Sequence, residues 1–142
     1  MKVAVDTSVL LDVLGGDPAF GPGSREALRG AYDSGSLVVC EVVWSEVRAN
    51  FPAEEQFRAS MDALGLRFSS LTVEAASLAG TLWREHHARR PRARSGAAAA
   101  AKRVVADFLV GAHAQLQADA LLARDRGFFR SYFKELRLLQ PS

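Results

Sequence analysis

The chain has a single cysteine, Cys40, in 142 residues. That excludes an intramolecular disulfide and any zinc site built from several thiolates. No apolar run approaches the roughly 18 residues that a membrane-crossing helix needs. The amino terminus enters an apolar strand-like segment with no basic-then-apolar leader ahead of it, so the expectation is a cytoplasmic protein with no membrane partner. Charge of one sign is not in excess: 18 Lys and Arg stand against 16 Asp and Glu, a formal net charge of +2. Global charge therefore does not by itself announce a nucleic-acid partner, and its distribution matters more. Internal repeats are absent. Hydrophobic content of 49% and charged content of 24% describe an ordinary globule. A chain of this length fits one domain, residues 1–142, large enough to bury a core without covalent staples.

The segment from Val104 to Phe129 organises what is there. Apolar residues recur at Val105, Phe108, Leu109, Ala112 and Leu116, the spacing of a helix. Asp107 sits at the edge of that stripe, in the first turns of a helix counted from Val104. Gly111 lies on roughly the same face. A glycine in a helix interior costs about 1 kcal/mol against alanine, so something is expected to pack close there. Ala120 to Ala123 is a short apolar run that reads as a strand buried on both faces, and Asp125 follows where it ends.

The rest of the chain repeats this pattern. Lys2 to Val5 reads as a strand ending in Asp6, with Thr7 or Ser8 able to cap a helix through Leu14. Gly15 to Pro18 opens a loop that Gly21-Pro22-Gly23 lengthens, and Ser24 caps a helix over residues 25–32. Leu37 to Cys40 is a second buried strand, meeting Glu41. A helix over residues 43–51 carries Glu46. Pro52 suits the first turn of the next helix, and Gly65 its carboxyl-terminal stop. A short strand over residues 66–68 precedes a helix from Val73 to about Arg89, capped by Thr72. The basic segment 89–96 is a loop, and the alanines from Ala97 lead into the Asp107 helix. A short helix over residues 128–135 and a strand over residues 136–139 close the chain. Apolar strands separated by helices predict an α/β protein, three layers deep, with a mostly parallel central sheet. In such sheets the working crevice lies beyond the carboxyl ends of the strands, where this reading places Asp6 and Asp125.

Four acids then form a candidate set: Asp6, Glu46, Asp107 and Asp125. Each lies at a strand end or beside the apolar stripe of a helix. Read blandly, they are caps and partners of Arg48, Arg124 and Arg126. Read together, gathered carboxylates repel one another unless a cation neutralises them. An all-oxygen donor set suits a hard ion such as Mg²⁺ or Mn²⁺. Such an ion activates water against a phosphodiester, with no protein nucleophile required.

At this point the sequence resembles a known family. Asp6-Thr7-Ser8-Val9-Leu10-Leu11, Glu46 on the helix after the second strand, Asp107-Phe108-Leu109-Val110-Gly111-Ala112-His113-Ala114, and Arg124-Asp125-Arg126-Gly127-Phe128-Phe129 look like the successive blocks of PIN-domain ribonucleases. The nearest likeness is to VapC-type toxins of toxin–antitoxin pairs, and it covers essentially the whole chain. The resemblance implies that Asp6, Glu46, Asp107 and Asp125 hold one or two Mg²⁺ or Mn²⁺ ions. It further implies an endoribonuclease acting on structured RNA such as tRNA, a cognate antitoxin that silences it, and a homodimer. One departure is Ala123, where many members carry Thr or Ser two residues before the last acid. That departure leaves an alternative: a PIN-like module, weak or inactive in catalysis, that binds RNA or protein.

Several further residues carry expectations. Ser8 can supply a hydroxyl near the site. Arg84, Arg89, Arg90, Arg92 and Arg94, with Lys102 and Arg103, form the one dense basic region, either a solvated loop or a patch that tracks phosphates. Arg124, Arg126 and Arg130 stand at the mouth of the site, to contact phosphate or to pair with the acids. Glu41 competes with Glu46 and ranks second. Asp12 and Asp119 read as surface caps or turn residues. His86 and His87 read as exposed, His113 as packing or rim, and Cys40 as an inert buried thiol. Trp44, Trp83, Phe51 and Phe57 belong to the core or to a groove that receives an antitoxin helix.

Overall fold

A computed structural model provides the fold; it describes residues 1–89 and 97–142, and of residues 89 and 97–104 the backbone only. In chain order the elements are β1 (Lys2–Val5), α1 (Thr7–Leu14), α2 (Gly21–Asp33), β2 (Ser36–Val39), α3 (Glu41–Arg48) and α4 (Glu54–Ala63). They continue with β3 (Leu66–Phe68), α5 (Val73–Arg89), α6 (Ala97–Gln117), β4 (Ala120–Leu122), α7 (Phe128–Tyr132) and β5 (Leu138–Leu139). The strands form one sheet in the order β3-β2-β1-β4-β5, and every pairing is parallel. Helices cover both faces, giving the three-layer α/β/α architecture that continuous apolar strands require. Val3, Val5, Leu37, Leu121 and Leu122 are each at most 1% exposed, so the central strands have no solvent face.

The strand order positions the site. From β1 the chain moves outward to β2 and β3, then returns past β1 to β4 and β5. The direction of winding thus reverses between β1 and β4, and in sheets of this kind the working crevice lies at the carboxyl ends flanking such a reversal. Asp6 is the first residue beyond β1, and its N–H bonds the Leu122 carbonyl at 2.9 Å, continuing the ladder across that reversal. Asp125 leaves β4 beside it.

Local chemistry accounts for most element ends. Thr72 caps α5 as expected, its hydroxyl accepting the Ala75 N–H at 3.1 Å. Gly65 stops α4 with φ +74°, a conformation that the Tyr32 ring packed against it would deny to any side chain. Four expectations need correction. Helix α2 begins at Gly21, because the Asp17 carboxylate accepts the N–H groups of Ala19 and Phe20 and the Asp17 carbonyl accepts that of Gly21, organising the turn before it. Pro22 sits in its first turn, where a missing N–H is harmless. Pro52 lies outside α4, whose first turn holds Glu54 and Glu55 instead. Helix α3 starts two residues early, at Glu41. Asp107 is central in α6, not in its first turns, because the helix already runs from Ala97.

Gly111 has the close neighbour that its position foretold. A Cβ there would stand 2.3 Å from Cε2 of Phe133, a ring 2% exposed and unable to swing away. We expect Gly111→Ala to lower stability by about 2 kcal/mol in urea unfolding, since overpacking outweighs the gain in helix propensity. An unchanged midpoint would mean that the α6–Phe133 contact is loose.

Candidate metal and nucleic-acid site

Asp6 closes β1 and opens α1. Its carboxylate accepts the Ser8 hydroxyl at 3.1 Å. Burial pushes its pKa up, with a smaller push from Glu46; the Thr7 N–H, the Ser8 hydroxyl and the Arg124 charge pull the other way. Glu46 stands on an exposed face of α3 and accepts the Thr7 hydroxyl at 2.8 Å. Asp107 projects from mid-α6 and is partly buried. Its pKa is pushed up to about 7, first by burial and then by the negative charges of Asp6, Glu46 and Asp125. Three carboxylates from three other parts of the chain therefore act on this one, which brings the four predicted acids into one electrostatic neighbourhood.

Asp125 has a second occupation. Its Oδ1 accepts the N–H groups of Gly127 and Phe129 at 3.0 and 3.1 Å, and its Oδ2 accepts that of Arg130 at 3.1 Å. It thereby anchors the start of α7. Glu41, the rival to Glu46, turns away: its carboxylate accepts the Ser70 hydroxyl at 2.6 Å and the Leu71 N–H at 2.8 Å. Those bonds hold its pKa low despite the opposing push of burial.

The predicted cations divide. Arg124 forms a two-pronged pair with Asp12, Nε to Oδ2 and Nη2 to Oδ1 both at 2.9 Å, and lies over the Phe20 ring at 4.2 Å. Arg126 is exposed. Arg92 and Arg94 lie outside the described residues; of the basic region only Arg84 has a described side chain, and it is exposed. Asp12 is not the surface cap expected of it. It is 5% exposed and also accepts the Ser24 hydroxyl at 2.8 Å. The missed signal was its place inside the apolar run Val9 to Leu14, where a lone acid needs a partner. His86 is likewise not exposed: it is partly buried, bonded through Nδ1 to the Tyr132 hydroxyl, with its ring against Phe108. His113 is buried, 3.1 Å from the Ser69 hydroxyl, and Cys40 is buried too. Asp119 is exposed in the bend before β4, and its carboxylate accepts the N–H of Lys2 at the start of β1 at 2.6 Å. Trp44 packs edge-on against Phe57 and Phe68.

Among the described residues no three carboxylate, imidazole or thiolate groups are drawn together tightly enough to hold an ion as they stand. Like charges with hydroxyl and amide partners of their own have no reason to close up. The donor chemistry nevertheless fits a hard divalent cation: all-oxygen ligands, negative charge in excess, and a neighbouring arginine already matched to Asp12.

The sign of the Asp107 shift gives a stability prediction. A folded-state pKa above the ordinary value of 3.8 means that folding favours the protonated acid. Its contribution is intact below about pH 4 and is lost as pH rises towards 7. In chelator, Asp107→Asn should therefore match wild type near pH 4 and exceed it by about 1–2 kcal/mol at pH 8, allowing for solvent screening. Thermal melts across that range measure the gap, and a gap independent of pH would contradict the crowding of the acids.

Comparison with known proteins places this geometry. The profile of the PIN domain family matches residues 3–134. No curated protein sequence gives a significant match. Among solved structures, VapBC2 from Rickettsia felis bound to a promoter DNA fragment is similar at 15% identity and TM-score 0.70, with 100% of each chain covered. A toxin–antitoxin complex from Klebsiella pneumoniae is similar at 17% identity and TM-score 0.68, covering 99% of this chain and 98% of that one. VapC20 of Mycobacterium tuberculosis, a toxin that cleaves the sarcin–ricin loop, is similar at 17% identity and TM-score 0.59, covering 95% and 98%. At these identities the likeness is one of fold. Among the described residues no helix is long and apolar enough to cross a membrane. The profile match spans nearly the full length, and its limits enclose all four acids and every strand but β5 and the first residue of β1: the chain belongs to the PIN domain family.

Proposed function

We infer that this protein is a metal-dependent endoribonuclease, the VapC-type toxin of a toxin–antitoxin pair, formed by a single domain over residues 1–142. One observation carries the reading: Asp107 is pushed up to about 7 by burial together with the charges of Asp6, Glu46 and Asp125. Evolution gains nothing in stability from crowding four acids above a sheet, so the arrangement points to a cationic ligand. Asp6, Glu46, Asp107 and Asp125 would hold Mg²⁺ or Mn²⁺. The ion supplies Lewis acidity, offsetting charge that builds on a phosphodiester and making water a better nucleophile at neutral pH.

The chain's own groups do the rest. Ser8 orients the Asp6 carboxylate. Exposed Arg126, two residues past the strand-end loop's Arg124, is available to an RNA phosphate, and Arg92 and Arg94 belong to the basic segment that tracks the backbone. Arg124 is held by Asp12, and its charge favours the ionised form of Asp6. The partners are a structured RNA, tRNA among the candidates, a cognate antitoxin and a second copy of the chain, and the setting is the cytoplasm. Similarity to toxin–antitoxin complexes supports the antitoxin.

Incubating the purified protein with total RNA in Mn²⁺, in Mg²⁺ and in chelator tests the reading. Discrete fragments only with the ions support it. RNA retention without cleavage in any of the three would favour a binding module instead.

A further inference from the structure

Glu46 is the longest and the most exposed of the four acids. It has three side-chain torsions and projects from an exposed helix face, and fixing such a side chain costs rotamer freedom. The nearest cation along α3 does not help it. Arg48 donates from Nε to Glu54 at 2.8 Å and from Nη1 to the Phe51 carbonyl at 2.8 Å, and Arg58 also pairs with Glu54, at 2.7 Å. Asn50 reaches the Glu46 backbone carbonyl and not its carboxylate. Among the described residues, the one group bonded to the Glu46 carboxylate is the Thr7 hydroxyl, at 2.8 Å.

We propose that Thr7 is a positioning residue that turns Glu46 toward Asp6 and Asp107 and readies it for the cation. The inference rests on the metal-dependent reading above. Thr7 is the first residue of α1, next to Asp6, so its backbone is fixed by the same turn that presents the first acid. Its hydroxyl spans from α1 to α3 and links the two elements that carry Asp6 and Glu46. A hydroxyl is suited to this task where an arginine would not be: an uncharged donor fixes the carboxylate and leaves its negative charge available to an incoming ion. Thr7 thus acts through Glu46 and touches neither ion nor RNA.

Calorimetric titration of the whole protein with Mn²⁺, without RNA, tests this. Thr7→Val keeps the shape and removes the hydroxyl; Thr7→Ser keeps the hydroxyl. The expected result is a 5- to 20-fold weaker Mn²⁺ affinity for Thr7→Val, recovery to within about 2-fold for Thr7→Ser, and circular dichroism like wild type for both. The Mg²⁺ concentration giving half-maximal cleavage should rise in step, with kcat at saturating Mg²⁺ within about 3-fold. In a Glu46→Gln background, Thr7→Val should change Mn²⁺ affinity by less than 2-fold, because the partner through which it acts is gone. Equal Mn²⁺ affinity in wild type and Thr7→Val overturns the role of Thr7 while leaving the metal reading standing. So does a Thr7→Ser protein as weak as Thr7→Val. A wild-type protein that takes up no Mn²⁺ overturns both.

Discussion

Asp6→Asn should abolish RNA cleavage, by at least about 1,000-fold at saturating Mg²⁺, while the protein stays folded. Such a loss corresponds to about 4 kcal/mol of barrier. Removing one anionic oxygen donor from a site that works by charge has an effect of that order, since the amide matches the carboxylate in shape but carries no charge. The fold should tolerate the change for three reasons visible in the structure. Asp6 makes no side-chain cap bond to α1 that the amide could lose, the amide oxygen still accepts the Ser8 hydroxyl, and burial already disfavours the charged form of Asp6. Asp125→Asn should lose cleavage likewise: one amide oxygen can keep the bonds from Gly127 and Phe129, while the Arg130 N–H loses the Oδ2 acceptor, so a small loss of stability accompanies it. Fragment mapping on denaturing gels alongside thermal melts separates the two effects. Cleavage within 10-fold of wild type in either ion-loaded variant would remove these acids from the reaction.

The second large effect lies behind the site. Arg124→Met should destabilise the fold by about 3–5 kcal/mol in urea unfolding, because the Asp12 carboxyl, 5% exposed, would lose its ionic partner and keep only the Ser24 hydroxyl. Most of that loss is expected to come from the orphaned carboxylate rather than from the missing guanidinium. The double variant Asp12→Asn, Arg124→Met should accordingly recover at least half of it. If the double variant is no better than the single, packing of Arg124 on Phe20 is the larger contribution. Cleavage should also fall in Arg124→Met, since the residue after it is Asp125.

What could be read from residue order alone follows a physical divide. Strands β1, β2 and β4 were legible because burial on both faces leaves unbroken apolar runs. The acids could be singled out as candidates because Asp6 and Asp125 stop such runs, while Glu46 and Asp107 sit beside apolar helix stripes. Gly111 declared a close approach, and Phe133 is what approaches. The pairing of Asp12 with Arg124 was not legible: 112 residues separate them, and no periodicity carries information across that distance. The start of α2 was misread because Gly21-Pro22-Gly23 has loop composition, whereas the turn before it is set by Asp17. The hold of Thr7 on Glu46 depends on how α1 and α3 lie together, which only the tertiary fold determines.

The reversal of winding between β1 and β4 also sets when this protein can become active. Val3, Ala4 and Val5 pair with Ala120, Leu121 and Leu122, so the central partner of the first strand emerges from the ribosome only after more than a hundred residues. Joining ends so far apart is a late and slow event in folding. Until that zipper closes, Asp6 and Asp125 belong to unconnected ends of a growing polypeptide, and the acids at the carboxyl ends of the sheet have no scaffold to gather on.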